Sequence, residues 1–217
     1  MSEISCKALV EEINCNDTIC RYMRVKRFFD CLDSDKDLFA LPTAWAEFDP
    51  FEDLISKLES KHGNQANITE QLYAQCWNRG HECDGMWRNY TSYDLDDGVM
   101  IESTVGTVIS SLKQELYNGG VFSDVSTFQN EADHNNQIEN MLFALPVRYL
   151  DEQNVVAKFE CYFSHLDQVA TPDNSRVCFE AVALGFRDLA ELLAIKRMQY
   201  RYEREIRFFL QIYDVIP

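Results

Sequence analysis

The chain has 217 residues, 46% hydrophobic and 12% aromatic, which supplies the core of one fairly large domain and argues against disorder. Its formal net charge of −16, from 20 Lys and Arg against 36 Asp and Glu, argues against nonspecific binding to DNA or to anionic membranes. A small nucleotide-like ligand or a protein partner stays open. The start, MSEISCKALVEEINCND, is acidic and has no apolar h-region, and no stretch approaches the ~18 apolar residues of a membrane helix. Eight cysteines spread irregularly through a chain with a good core read as reduced thiols of a cytoplasmic protein. The sequons at Asn16, Asn67 and Asn89 then carry no glycan.

In chain order, residues 4–15 have weak helical spacing, and ICRYMRVKRFFDCL (Ile19–Leu32) passes from a strand-like piece into a helix. Ser34 and the surrounding aspartates form a turn. Leu38–Leu41 reads as a short buried strand closed by Pro42, and Trp45–Pro50 as a loop. A helix follows from Phe51 to about Ser60, and the polar HGNQANIT is a loop. Gln71–Trp77 reads as a strand and Glu82–Tyr90 as a helical turn. The clearest signal is GVMIESTVGTVISSLKQEL: a β-rich run from Gly98 to Thr104, then Val105, Val108, Ile109 and Leu112 at helical spacing. Thr104 stands where it would cap that helix. The Asn- and Asp-rich 117–140 segment reads as a flexible insertion. Phe143–Leu150 and Val155–Phe163 read as strands joined by a hairpin turn at Asp151–Asn154. Residues 164–176 read as loop, Cys178–Ile195 as helix, and Ile206–Val215 as the final strand. The expectation is one α+β domain: a mixed, mostly antiparallel sheet flanked by helices, with the final strand central.

Two basic tracts stand out in so acidic a chain: Arg21, Arg24, Lys26 and Arg27, then Lys196, Arg197, Arg201, Arg204 and Arg207. Brought together, they would reverse the local field and make an anion or nucleotide pocket. If YEREIRFFLQIY is a strand, Ile206, Phe208, Leu210 and Ile212 share one face and Glu203, Glu205 and Arg207 the other. Two carboxylates at i and i+2 need cations or a ligand to compensate them; otherwise the face is simply solvated. Trp77, Trp87 and Tyr90 form an aromatic cluster, read either as core packing or as a wall for a stacked base or nicotinamide ring. Cys76, His81 and Cys83 fall short of a four-ligand zinc pattern, so no metal is assigned. Phosphate-loop, G-x-S-x-G and H-E-x-x-H signatures do not occur.

Four segments in order, RYMRVKRFFDCL, LFALPTAWAEFDPFED, CWNRGHECDGMWRNYTSYDLDDGVMIEST and KRMQYRYEREIRF, resemble the domain of unknown function 2971 family. The resemblance covers about Ile19 to Leu210, with a departure at Phe48 before Asp49-Pro50 and a poor match over 117–195. It implies a bacterial or phage-borne cytoplasmic protein of conflict or defence systems and assigns no activity. The chain is also similar in order to Arg-Ser-Glu ADP-ribosyltransferases: Arg21 or Arg24, then Ser103-Thr104, then Glu203-Arg204-Glu205. That analogy implies NAD as candidate cofactor, its phosphates gripped by Arg21 or Arg24 and its nicotinamide ribose site supported by Ser103 and Thr104. Glu205, with Glu203, would stabilise the oxocarbenium-like transition state. Arg207 and the rings of Trp77, Trp87 and Tyr90 would complete the cofactor site. The competing readings are a non-catalytic interaction or sensor module, and a nuclease or hydrolase holding Mg²⁺ on Asp49, Glu52 and Glu82.

Overall fold

A computed structural model of the chain describes residues 13–47, 49, 51–52, 72–91, 97–118, 141–169 and 189–211. In TICRYMR, β1 (Thr18–Arg24), five consecutive residues from Ile19 to Met23 are buried, so the strand is covered on both faces. Arg24 turns the chain into α1 (Val25–Ser34), which ends on Asp35 in the left-handed conformation (φ 53°). Neither β1 nor α1 departs from the sequence reading. Leu38–Leu41 does depart. Ala40 alone bridges to Ala74, Leu38 is exposed, and a 3-10 helix over Pro42–Glu47 takes the first residues of the expected loop.

The next elements are β2 (Leu72–Arg79), α2 (Asp84–Tyr90), β3 (Gly98–Thr104) and α3 (Val105–Asn118). The strand-to-helix switch falls where the periodicity changes, and the Thr107 N–H donates to Thr104 Oγ1 (3.2 Å) as a cap. β4 (Leu142–Pro146) and β5 (Arg148–Leu150) divide what reads as one strand, and they join different sheets. The expected hairpin and second strand over 151–163 are a helix, α4 (Glu152–Val169). Asp151 Oδ1 accepts the Asn154 N–H (2.9 Å), so the polar quartet read as a turn starts a helix instead. Val155 and Phe159, four apart, are buried while Val156 is exposed. Residues 189–193 are helical and are followed by β6 (Ile195–Arg197), a 3-10 helix over Met198–Glu203 and β7 (Glu205–Gln211). The readings at residues 4–12, 53–70, 119–140, 170–188 and 212–217 lie outside the described residues.

The architecture is α+β. Five strands run in the order β3-β1-β2-β7-β4, with antiparallel pairing at β3–β1, β1–β2 and β7–β4. The final strand is therefore internal, although β2 holds the middle. β5 and β6 pair in parallel as a separate two-stranded sheet. The residues read as one domain group into two compact units. Met1–Leu38, Cys76–Pro146 and Tyr202–Leu210 make the first; Phe39–Gln75, Val147–Arg201 and Gln211–Pro217 make the second. In the first unit, α3 sets Leu112 and Leu116 against Leu142 and Leu210 on one sheet face. The other face packs Cys20 and Tyr22 against Met86, with Trp87 edge-on to Tyr22 at 5.0 Å. Each large apolar side chain so buried contributes roughly 1.5–3 kcal/mol. Among the described residues no helix is long and apolar enough to cross a membrane.

Gly98 begins β3 because nothing larger fits. A Cβ there would lie 2.1 Å from Thr91 Cγ2 and 2.9 Å from Trp87 Cζ3. Gly98→Ala should therefore displace Thr91 and the Trp87 ring and cost about 1–3 kcal/mol in a urea titration. A midpoint equal to wild type would show that the site relaxes freely.

Candidate functional site

β7 carries its acid and base in alternation, and both of its faces are buried. Arg207 Nε donates to Glu205 Oε1 at 2.6 Å, with Glu205 5% and Arg207 1% exposed. The solvated face expected for this strand is absent. Instead an ion pair stands within the sheet, where each charge loses hydration and depends on its partner. Glu203 is not on the strand. It ends the preceding 3-10 helix, and Arg204, at φ 45°, separates it from Glu205. Glu203 is nonetheless buried: its backbone carbonyl accepts from Asn78 Nδ2 (2.6 Å), and its carboxylate lies 3.5 Å from Asn89 Nδ2. Asn89 also donates to the Tyr202 hydroxyl (2.9 Å).

Strand alternation then assigns the remaining candidates to faces. The Arg21 guanidinium pairs with Asp37 and sits over the Trp77 ring, 5.9 Å from its centroid. Trp77 meets Phe208 edge-on at 6.5 Å, which places Arg21 and Trp77 on the Phe208 face. Ser103 pairs with Ile19, two residues from Arg21, and so shares that face. Glu205 and Arg207 alternate with Phe208 and occupy the opposite face, the one that holds Tyr22 and Trp87. The structure thus brings Arg21, Trp77 and Ser103 to one side of the sheet and Glu205 to the other. Trp77 and Trp87 do not form one wall. Trp87 Nε1 donates to Glu82 Oε1 (2.6 Å), and Tyr90 is partly exposed at the end of α2. Thr104 is occupied as the α3 cap, and Arg24 projects into solvent at the head of α1.

The basic tracts are divided as well. In the second unit Lys196 Nζ pairs with Glu52 Oε1 (3.2 Å). Arg197 reaches Asp49 (2.8 Å) and Glu152 (3.1 Å), with its guanidinium 4.5 Å from the Phe51 ring centroid. Burial opposes charge on Arg197, but the hydrogen bonds it donates to Asp49 and Glu152 outweigh it and raise its pKa. The Mg²⁺ reading fails here: Asp49 and Glu52 are taken by cations and Glu82 by an indole N–H. Among the described residues no group of three His, Cys, Asp or Glu side chains is placed to hold a metal ion. The sequence reading missed Asp37, Asn89 and Tyr202, which partner the candidates. A polar residue inside or beside an aromatic segment is the only local sign they give.

Cysteine chemistry differs from expectation at one position. Cys15 is disulfide-bonded, while Cys20, Cys31, Cys76, Cys83 and Cys161 are free. Burial, then the nearby Glu102 and Glu82 carboxylates, push the Cys20 thiol up, so it is a protonated core group that donates to the Gly80 carbonyl.

Two outcomes test this arrangement. Arg207→Met should cost about 3–5 kcal/mol in chemical denaturation, because it removes the buried cation bonded to the Glu205 carboxylate. A loss below about 1 kcal/mol would mean that the pair is solvated. Asp17 gives the pH test. Its hydrogen bond from Arg79 (Nε, 3.0 Å) holds the carboxyl below its ordinary 3.8, against the raising effect of burial. Asp17 therefore stabilises the fold above that pH, and the contribution is lost as pH falls through the depressed folded value. Arg79→Met should flatten the dependence of Tm on pH between about pH 2 and 5.

Scans against protein-family models, curated proteins and solved structures find no match for this chain.

Proposed function

We propose that the protein is a non-catalytic interaction module that docks a protein segment on α1. One observation carries this reading: none of the residues of α1 is buried, while Phe29 and Leu32 are 55% and 60% exposed. These two are three apart and lie on one helix face, with Phe28 edge-on to Phe29 at 5.7 Å. An apolar row left in solvent is a usual mark of a partner surface.

The charge order of the helix supports the same reading. Arg24, Lys26 and Arg27 stand at its positive end, and Asp30, Asp33 and Asp35 at its negative end. That order opposes the helix dipole and costs a few tenths of a kcal/mol per charge. The Ncap position offers no side-chain hydrogen bond. Such local concessions are expected where a surface serves recognition rather than folding. The partner would carry apolar anchors between an acidic end and a basic end.

The resemblance to the domain of unknown function 2971 family stays a proposal. It fits a sensor module of a bacterial or phage conflict system working in the cytoplasm. An NAD-using transferase gains less support, because its arginine and serine stand across the sheet from a glutamate already bonded to Arg207.

Leu32→Glu and Phe29→Ser should leave Tm nearly unchanged, since both side chains are exposed. Each should weaken capture of the partner from bacterial lysate by roughly tenfold or more. Sedimentation of the purified chain shows whether the occupant is a second copy. Equal capture by wild type and both variants would overturn the reading, as would nicotinamide release from NAD that Glu205→Gln abolishes.

A further inference from the structure

The second unit contains an open cleft of about 580 Å³ formed by β5, α4 and the residues around 189–195. Its floor is apolar, from Leu192 and Ile195, which are buried. Two cations line it from different elements. Arg148 comes from β5, where its backbone N–H is fixed to the Ala194 carbonyl (2.8 Å) and its register partner is Ile195. Lys158 comes from α4, one turn beyond Asn154, whose amide also lines the cleft.

Neither cation is ion-paired among the described residues. Elsewhere in the same unit Lys196 and Arg197 are each held by carboxylates. Two such cations beside buried Leu192 and Ile195 put positive charge next to an apolar floor. An arginine and a lysine lining one cleft suit one oxyanion: the guanidinium forks onto two oxygens and the ammonium adds a point charge. The floor below would take a hydrophobic body.

We propose that this cleft binds a small organic anion whose oxyanion head, carboxylate or phosphate ester, lies between Arg148 and Lys158 and whose apolar body rests on Leu192 and Ile195. Glu191 at the same cleft repels the head and limits affinity. Sequence reading missed the site because α4 was expected to be a strand. On the helix Asn154 and Lys158 stand one turn apart on one face, whereas the sequence reading put Asn154 in a turn and Lys158 on the strand after it.

The proposal is independent of α1 docking and is tested by calorimetric titration of the full chain with octanoate and, separately, adenosine 5′-monophosphate. Saturable binding of either probe is expected, and the stronger identifies the head group. Arg148→Gln and Lys158→Gln should each weaken it by roughly tenfold, and Glu191→Gln should strengthen it by a few-fold. Because these side chains are exposed, the variants keep the wild-type Tm. Absence of saturable binding to both probes would overturn the proposal. So would equal affinity in wild type, Arg148→Gln and Lys158→Gln.

Discussion

A guanidinium inside a β-sheet has to be answered by a carboxylate, and the pairing of Arg207 with Glu205 is the constraint around which this fold is arranged. Both lie on a strand bonded on each side, and neither reaches water. Each would cost several kcal/mol if left alone, so the strand is tolerable only with both in place. The same rule recurs with Arg21 and Asp37, Arg79 and Asp17, Lys196 and Glu52, and Arg197 with Asp49 and Glu152. With 36 acids against 20 bases, cations are the scarce partner, and the fold commits most of the described ones to structure.

That commitment decides where function is sought. A basic tract is an anion site only if its charges are uncommitted, and these tracts are largely committed. The cations left over are informative for that reason. Among them are Arg24 and Arg27 at the head of α1 and Arg148 and Lys158 at the second unit's cleft, two places that also present apolar groups. Charge without an internal partner beside hydrophobic surface is the combination that recognition needs, since one supplies orientation and the other affinity.

The sequence was legible where local physics decides. The switch from period two to period 3.6 at Thr104 needs only the residues on either side, and it was read correctly. The turn from β1 into α1 is equally local. Residues 155–163 were misread because Val155, Val156, Phe159 and Cys161 satisfy either period. Burial of Val155 and Phe159 together is a tertiary outcome that periodicity cannot supply. The alternation along β7 was right, but whether its charged face meets water depends on packing from elsewhere. The order Arg, Ser, Glu along the chain likewise says nothing about faces, since one residue of parity moves a side chain across the sheet.

Parity also explains why an acidic pair is useful in this strand. On β7, Ile206, Phe208 and Leu210 alternate with Glu205, Arg207 and Phe209, and nearly all are buried. In a strand apolar on both faces, a slip of one residue exchanges one greasy surface for another and costs little. With Glu205 and Arg207 present, the same slip would carry both charged groups into the face where Trp77 meets Phe208. The ion pair adds little to stability compared with a hydrophobic substitute, but it makes the wrong register expensive. In this chain the pair therefore acts as a device that specifies the register of the sheet.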